Sequence, residues 1–214
     1  MYFQQRNMTE DEYLDFLKVA SGKKKAELVL KNANFLDVFT ACFRKADIAI
    51  SHGSFAGIGT YSGEKEIDMT GKTIVPGFVD AHIHIESTTV VPEVFAKEAL
   101  KHGTTSILTD PHEIANVMGV DGIRYMLEAA KNLPMDIFFM VPSCVPSCEF
   151  DEAGACLEIE DLKEFLDHKS VLGIAELMNV KGVIENDKKI LAKTYEAIKR
   201  NKLIDGHAPF VNDK

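Results

Sequence analysis

Cysteine is scarce in this chain. The four present are Cys42, Cys144, Cys148 and Cys156, and none forms C-x-x-C. They read as free thiols rather than a disulfide framework. A zinc knuckle from Cys144, Cys148 and Cys156 lacks a matching fourth ligand at the usual spacing. Long apolar runs are also missing; none approaches the roughly 20 residues of a membrane span. The stretch Met1-Tyr2-Phe3-Gln4-Gln5-Arg6 lacks the apolar centre of a signal peptide, so the expected location is the cytoplasm. Basic charge is in the minority: 24 Lys and Arg stand against 33 Asp and Glu, for a net charge of −9 and a pI near 5.3. That balance argues against nucleic acid or an anionic membrane as the main partner. The one basic cluster, Lys23-Lys24-Lys25, reads as a solvated stretch after a helix. No G-x-G-x-x-G follows the first strand of the α/β region described below, so a dinucleotide fold is not supported.

Apolar residues make up 46% of the 214 positions, enough for a sizeable core. Thr9-Glu10-Asp11-Glu12 is a capping box that opens a short helix. Residues 1–25 are thus a helix and linker. Strands are predicted over Ala26–Ala33 and Ala46–Ile50, and Gly53, Gly57, Gly59, Gly63 and Gly71 punctuate short pieces beyond them. Residues 26–75 read as a small β-sandwich module. From there the rhythm changes. Strands ending at His84 and covering Thr104–Thr109, Met135–Val141, Val171–Leu177 and Leu203–Gly206 alternate with helices over Pro92–His102, Val120–Asn132, Glu160–His168 and Asp187–Asn201. Such alternation implies a parallel sheet or barrel over residues 76–214.

Polar residues collect where these strands end. His82 and His84 form His-x-His, and alternate strand residues share a face, so the two imidazoles aim at one point. Imidazole is a common transition-metal ligand. Asp110, His112, Glu113 and Asn116 follow the second strand, Ser143 and Cys144 the third, Glu176 and Asn179 the fourth, and His207 the fifth. In a (β/α)8 barrel that face carries the active site. Leu172, Ile174 and Glu176 share a face of an otherwise buried strand. His112 fits either a loop histidine bonded to Asp110 or a role towards substrate. Glu113 fits either a catalytic group or an acid in a helix first turn.

A full barrel takes about 250 residues. The α/β region here yields about five of eight strands, and Val211-Asn212-Asp213-Lys214 offers no sixth. The expected fold is therefore an α/β, incomplete (β/α)8 TIM-type barrel preceded by the β module, with open sheet edges.

The run Pro76-Gly77-Phe78-Val79-Asp80-Ala81-His82-Ile83-His84 resembles the opening barrel strand of the amidohydrolase superfamily. Further stretches narrow the likeness: His84-Ile85-Glu86-Ser87, His102-Gly103-Thr104-Thr105, Asp110-Pro111-His112-Glu113-Ile114-Ala115-Asn116-Val117, Pro142-Ser143-Cys144-Val145-Pro146 and Gly173-Ile174-Ala175-Glu176-Leu177-Met178-Asn179. With Asp205-Gly206-His207-Ala208-Pro209 they look like the adenine deaminase family of bacteria, over about residues 26–210. The resemblance implies hydrolysis of the small purine adenine to hypoxanthine and ammonia. It also implies one or two divalent ions (Mn, Fe or Zn) and a homo-oligomer at full length. His82 and His84 match first-strand metal ligands, Glu176 the fourth-strand carboxylate that bridges two metals, and His207 the fifth-strand ligand. Many relatives place a carboxylated lysine at the bridging position, but Val171–Leu177 contains no lysine. Glu176, His112 and Glu113 are the catalytic candidates.

A bound divalent ion lowers the pKa of water from 15.7 towards about 7. An acid/base group must then protonate the ring nitrogen and the departing amine. The superfamily's sixth-strand histidine and eighth-strand aspartate have no counterpart here, so the 214-residue chain is expected to be inactive alone. The competing readings are another cyclic amidine or amide hydrolase of the superfamily, and a non-catalytic truncated homologue.

Overall fold

A computed structural model describes residues 8–148 and 150–209. The runs Met1–Arg6 and Val211–Lys214, discussed above, lie outside the described residues. The chain divides into two compact units, Met1–Pro76 and Gly77–Lys214.

The first unit opens with α1 (Glu10–Ala20), whose capping box is formed. The Glu12 amide donates to Thr9 Oγ1, and Glu12 Oε2 accepts from the Thr9 amide at 2.8 Å. Strands β1 (Ala26–Asp37), β2 (Cys42–Ser51), β3 (Ser54–Gly59), β4 (Gly63–Asp68) and β5 (Thr73–Ile74) follow. They form one sheet in the order β3-β2-β1-β4, with β5 also on β1. Among the described residues the expected sandwich thus takes the form of a single sheet with apolar clusters on its surfaces. Val19 of α1 packs with Val29 and Ala49, while Ala33, Phe35 and Ile48 form a second cluster. The long β1–β2 hairpin exceeds the two short predicted strands, because Ala41 turns the chain at φ 54° and Asp37 pairs with Cys42. Asp47 is 8% exposed and pins the bulge in β1. It accepts from Lys31 Nζ at 2.5 Å and from the amides of Asn32 and Tyr61.

The second unit contains β6 (Phe78–Ile83), α2 (Pro92–Lys101), β7 (Thr104–Thr109), α3 (His112–Met118), α4 (Val120–Ala129) and β8 (Asp136–Pro142). It continues through α5 (Ile159–Leu166), β9 (Val171–Leu177), α6 (Val180–Ile184), α7 (Lys188–Lys199) and β10 (Leu203–Gly206). All five strands are parallel and lie in the order β10-β9-β8-β7-β6, each beside its neighbour in sequence. This is an incomplete (β/α) barrel. Ile107, Phe139, Val141, Val171 and Ile174 of the strands pack with Ile123, Met126, Leu162, Phe165 and Leu166 of the helices. The edge strands stay open: Phe78, Val79 and Leu203 are all more than half exposed.

Two short helices, α3 and α6, interrupt the simple alternation predicted from sequence. Each is fixed by a side-chain cap rather than by an apolar period. Glu86 Oε1 accepts from the amides of Glu113 and Ile114, and Asn179 Oδ1 accepts from the Gly182 amide at 2.8 Å. Among the described residues no helix is long and apolar enough to cross a membrane.

Candidate metal centre

Parallel strands point all their C-terminal ends the same way, and the titratable groups gather there around one carboxylate. Glu176, at the end of β9, is 9% exposed. Its Oε1 lies 2.8 Å from His207 Nε2 and 3.5 Å from His82 Nε2. Its Oε2 lies 3.2 Å from His112 Nδ1 and 3.4 Å from His84 Nε2. Each oxygen therefore faces its own pair of imidazoles. Burial pushes the Glu176 carboxyl up, but the bond from His207 and the fields of His82, His112 and His84 outweigh it, so the group lies below the usual carboxylate range.

The partners assign the His84 tautomer. His84 Nδ1 sits 2.8 Å from the Asp110 carbonyl oxygen, which can only accept, so Nδ1 carries the hydrogen. In the neutral ring Nε2 is then a bare lone pair. It faces Glu176 Oε2 and stands 3.1 Å from His82 Nε2. Such a lone pair beside a carboxylate is satisfied by a hydrogen on His82 Nε2 or by a cation between the groups. A ring hydrogen given to a backbone carbonyl is also the usual support for a metal-ligating histidine.

Asp110 is 1% exposed. Its Oδ2 accepts from His112 Nδ1 at 2.9 Å, whereas Oδ1 is buried without a hydrogen-bond partner. Burial raises the Asp110 carboxyl, with the His112 bond opposing. That same bond raises the His112 imidazole against its own burial. His84, Asp110, His112 and Glu176 each offer a ligand atom within 4.8 Å of the others. An orphaned buried carboxylate oxygen near the His84 Nε2 lone pair and the Glu176 carboxylate is a donor set that fits a divalent ion. Among the described residues this is the one such grouping, and the cysteines form none.

The structure brings together His82, His84, His112, Glu176 and His207. Glu113 stands apart: it is exposed in the first turn of α3, and its charge acts on His112 through space. Asp110 was legible in sequence only as a partner for His112. Its burial and its unmatched oxygen are properties of the fold. Asp205 also joins the rim, with Oδ2 3.5 Å from His82 Nδ1. His82, Glu176, Asp205, Gly206 and His207 line a recess of about 120 Å³.

Known proteins share this arrangement of elements. Residues 73–214 match the family model described as the amidohydrolase family. An adenine deaminase of Clostridium acetobutylicum is 49% identical over 195 residues, which is 91% of this chain and 34% of that protein. An adenine deaminase of Ligilactobacillus salivarius is 50% identical over 208 residues, covering 97% of this chain and 36% of that protein. The chain thus spans about a third of the length of these curated relatives. Among solved structures, a D-aminoacylase superposes with a TM-score of 0.58 at 17% identity, covering 85% of this chain and 45% of that one. An N-acyl-D-glutamate deacylase from Bordetella bronchiseptica gives a TM-score of 0.56 at 17% identity, over 84% of this chain and 44% of that one. At such identities the structural likeness speaks to fold, and the family match covers the same parallel strands that carry the clustered imidazoles. The chain belongs to the amidohydrolase family, whose members are metal-dependent hydrolases.

Proposed function

We propose that this chain carries the metal-binding part of an adenine deaminase, which hydrolyses adenine to hypoxanthine and ammonia. The observation that carries the reading is Glu176, with each carboxylate oxygen facing a separate pair of imidazoles. The near-50% identity to adenine deaminases over almost the whole chain supports the substrate. On this reading residues 76–214 form the part of the hydrolase barrel that bears the centre, and residues 26–75 form an accompanying β module.

His82, His84, Glu176 and His207 would hold one or two divalent ions, with Asp110 Oδ1 as a further donor. Imidazole and carboxylate ligands suit Zn, Fe or Mn. When bound, such an ion supplies Lewis acidity that activates water at neutral pH. The chain's own groups do the rest. Asp110 orients His112 by accepting its Nδ1 hydrogen at 2.9 Å, and the same bond shifts this acid/base group towards its protonated form beside Glu176. The His84 ring is fixed by the Asp110 carbonyl, so its Nε2 stays aimed at the centre. Glu113 adds negative field at His112 from the rim.

Metal content and ligand choice test the reading. The purified chain, titrated with Mn(II), Fe(II) and Zn(II) in turn, is expected to bind at least one of them. Glu176→Gln should weaken that binding by more than about tenfold. In equilibrium dialysis the loaded chain should retain adenine over hydantoin. A folded chain that takes up no divalent ion, or retains hydantoin over adenine, overturns the proposal.

A further inference from the structure

A buried lysine sits behind the centre and takes no part in the chemistry above. Lys193 of α7 is 6% exposed. Its ammonium donates to the carbonyl oxygens of Ser143 at 2.8 Å and Leu157 at 2.7 Å. Ser143, just beyond β8, is 1% exposed. Its hydroxyl donates to the Ala175 carbonyl at 2.8 Å and stands 3.4 Å from the Glu176 carbonyl. Two successive contacts thus run from α7 to the end of β8, and from there to the peptide that carries Glu176.

Burying an ammonium costs several kcal/mol, and a well-packed apolar side chain is often as stable or more so. A lysine here therefore needs a reason besides packing. The carbonyls it satisfies belong to a loop outside the sheet ladder, where buried acceptors need donors from elsewhere. The Leu157 amide closes the same loop on the Val145 carbonyl at 2.9 Å. Lys193 therefore fixes Ser143 from behind, and Ser143 fixes β9 at its last residues. Glu176 must present both oxygens to different imidazoles, so a small rotation of its peptide would spoil one pair.

We infer that Lys193 and Ser143 are positioning residues for the metal centre, holding the end of β9 so that Glu176 spans its two pairs of imidazoles. The inference rests on the reading of Glu176 as a metal-bridging carboxylate. Residues that act behind the ligands typically change metal affinity 10–100-fold when altered.

The test uses the 214-residue chain and Co(II) alone, read by affinity and by the visible ligand-field spectrum. Lys193→Met and Ser143→Ala should each weaken Co(II) by about 10–100-fold and shift the spectrum. Ser143→Thr, which keeps the hydroxyl, should restore most of both. Leu162→Ala, in the core and linked to no ligand, should lower the Tm while leaving affinity and spectrum unchanged. Parent-like Co(II) binding in Lys193→Met and Ser143→Ala overturns this inference and leaves the metal reading standing. Failure of the parent chain to bind Co(II) overturns both. If Lys193→Met does not fold, Ser143→Ala decides alone.

Discussion

Gly173→Ala should open one side of the centre and spare the other. A Cβ built on Gly173 lies 2.1 Å from the Leu203 carbonyl oxygen and 2.6 Å from its carbon. These are backbone atoms of β10, which pairs Leu203 with Gly173 and Ile204 with Ile174. They cannot swing aside as a flexible side chain can, so the strand must retreat by roughly 1.3 Å to reach an ordinary contact. A ladder bond stretched by that much is no longer a hydrogen bond. Overpacking of this kind costs about 1–3 kcal/mol. The edge strand gives way before the core does, because all four residues of β10 are exposed. At 1.4 kcal/mol per decade the opening of β10 rises by about 5- to 150-fold. Amide hydrogen exchange over residues 203–207, read by mass spectrometry, should rise by that factor. His207 leaves Glu176 Oε1 with β10, while His84 and His112 keep their places around Oε2. Exchange at 203–207 equal to the parent's, with an intact global fold, refutes the argument.

Two further perturbations test the units separately. Leu162→Ala removes a fully buried side chain from the packed face of α5 and should cost about 2–5 kcal/mol in urea unfolding; a loss under about 1 kcal/mol contradicts the packing described. In the first unit, burial pushes the Asp47 carboxyl up, but the Lys31 ammonium and the amides of Asn32 and Tyr61 bring it below its ordinary value. A carboxyl depressed in the folded state adds stability above its unfolded pKa of about 3.9, lost as pH falls through the folded value. Asp47→Asn should therefore lower the urea midpoint at pH 7 and flatten its decline below about pH 4; an unchanged acid limb counts against the network.

How far the sequence reached follows from how local each signal is. His82 and His84 were legible because a strand's two-residue period is a local rule. Glu176 was legible because it ends an apolar run. The five strands of the second unit were legible for the same reason, with Val171–Leu177 and Leu203–Gly206 matching the predicted ranges. What escaped depends on contacts distant in sequence. Helix α3 exists beside a cap from Glu86, 27 positions earlier. The hairpin from β1 to β2 turns at Ala41 in a left-handed conformation, where turn chemistry favours glycine or asparagine. The orphaned Oδ1 of Asp110 has no sequence signature, since burial alone creates it.

The distances at the centre also say what the barrel curvature contributes. Strand β6 lies three steps from β9, and neighbouring strands run about 4.8 Å apart, so a flat sheet would separate them by about 14 Å. Side chains standing perpendicular to a flat sheet would keep that separation. Yet His84 Nε2, just past β6, lies 3.4 Å from Glu176 Oε2 at the end of β9, and His82 Nε2 lies 3.5 Å from Oε1. The strands between them must therefore curl, turning the inward side chains of β6 and β9 towards one point. His207 needs no such curl, because β10 is adjacent to β9. The contacts of Glu176 thus depend on different features of the fold: Oε1 reaches His207 through a single strand pairing, whereas Oε1 reaches His82 and Oε2 reaches His84 only through the curvature of β7 and β8. A change that flattens those two middle strands separates His82 and His84 from Glu176 even if every strand and every donor is retained.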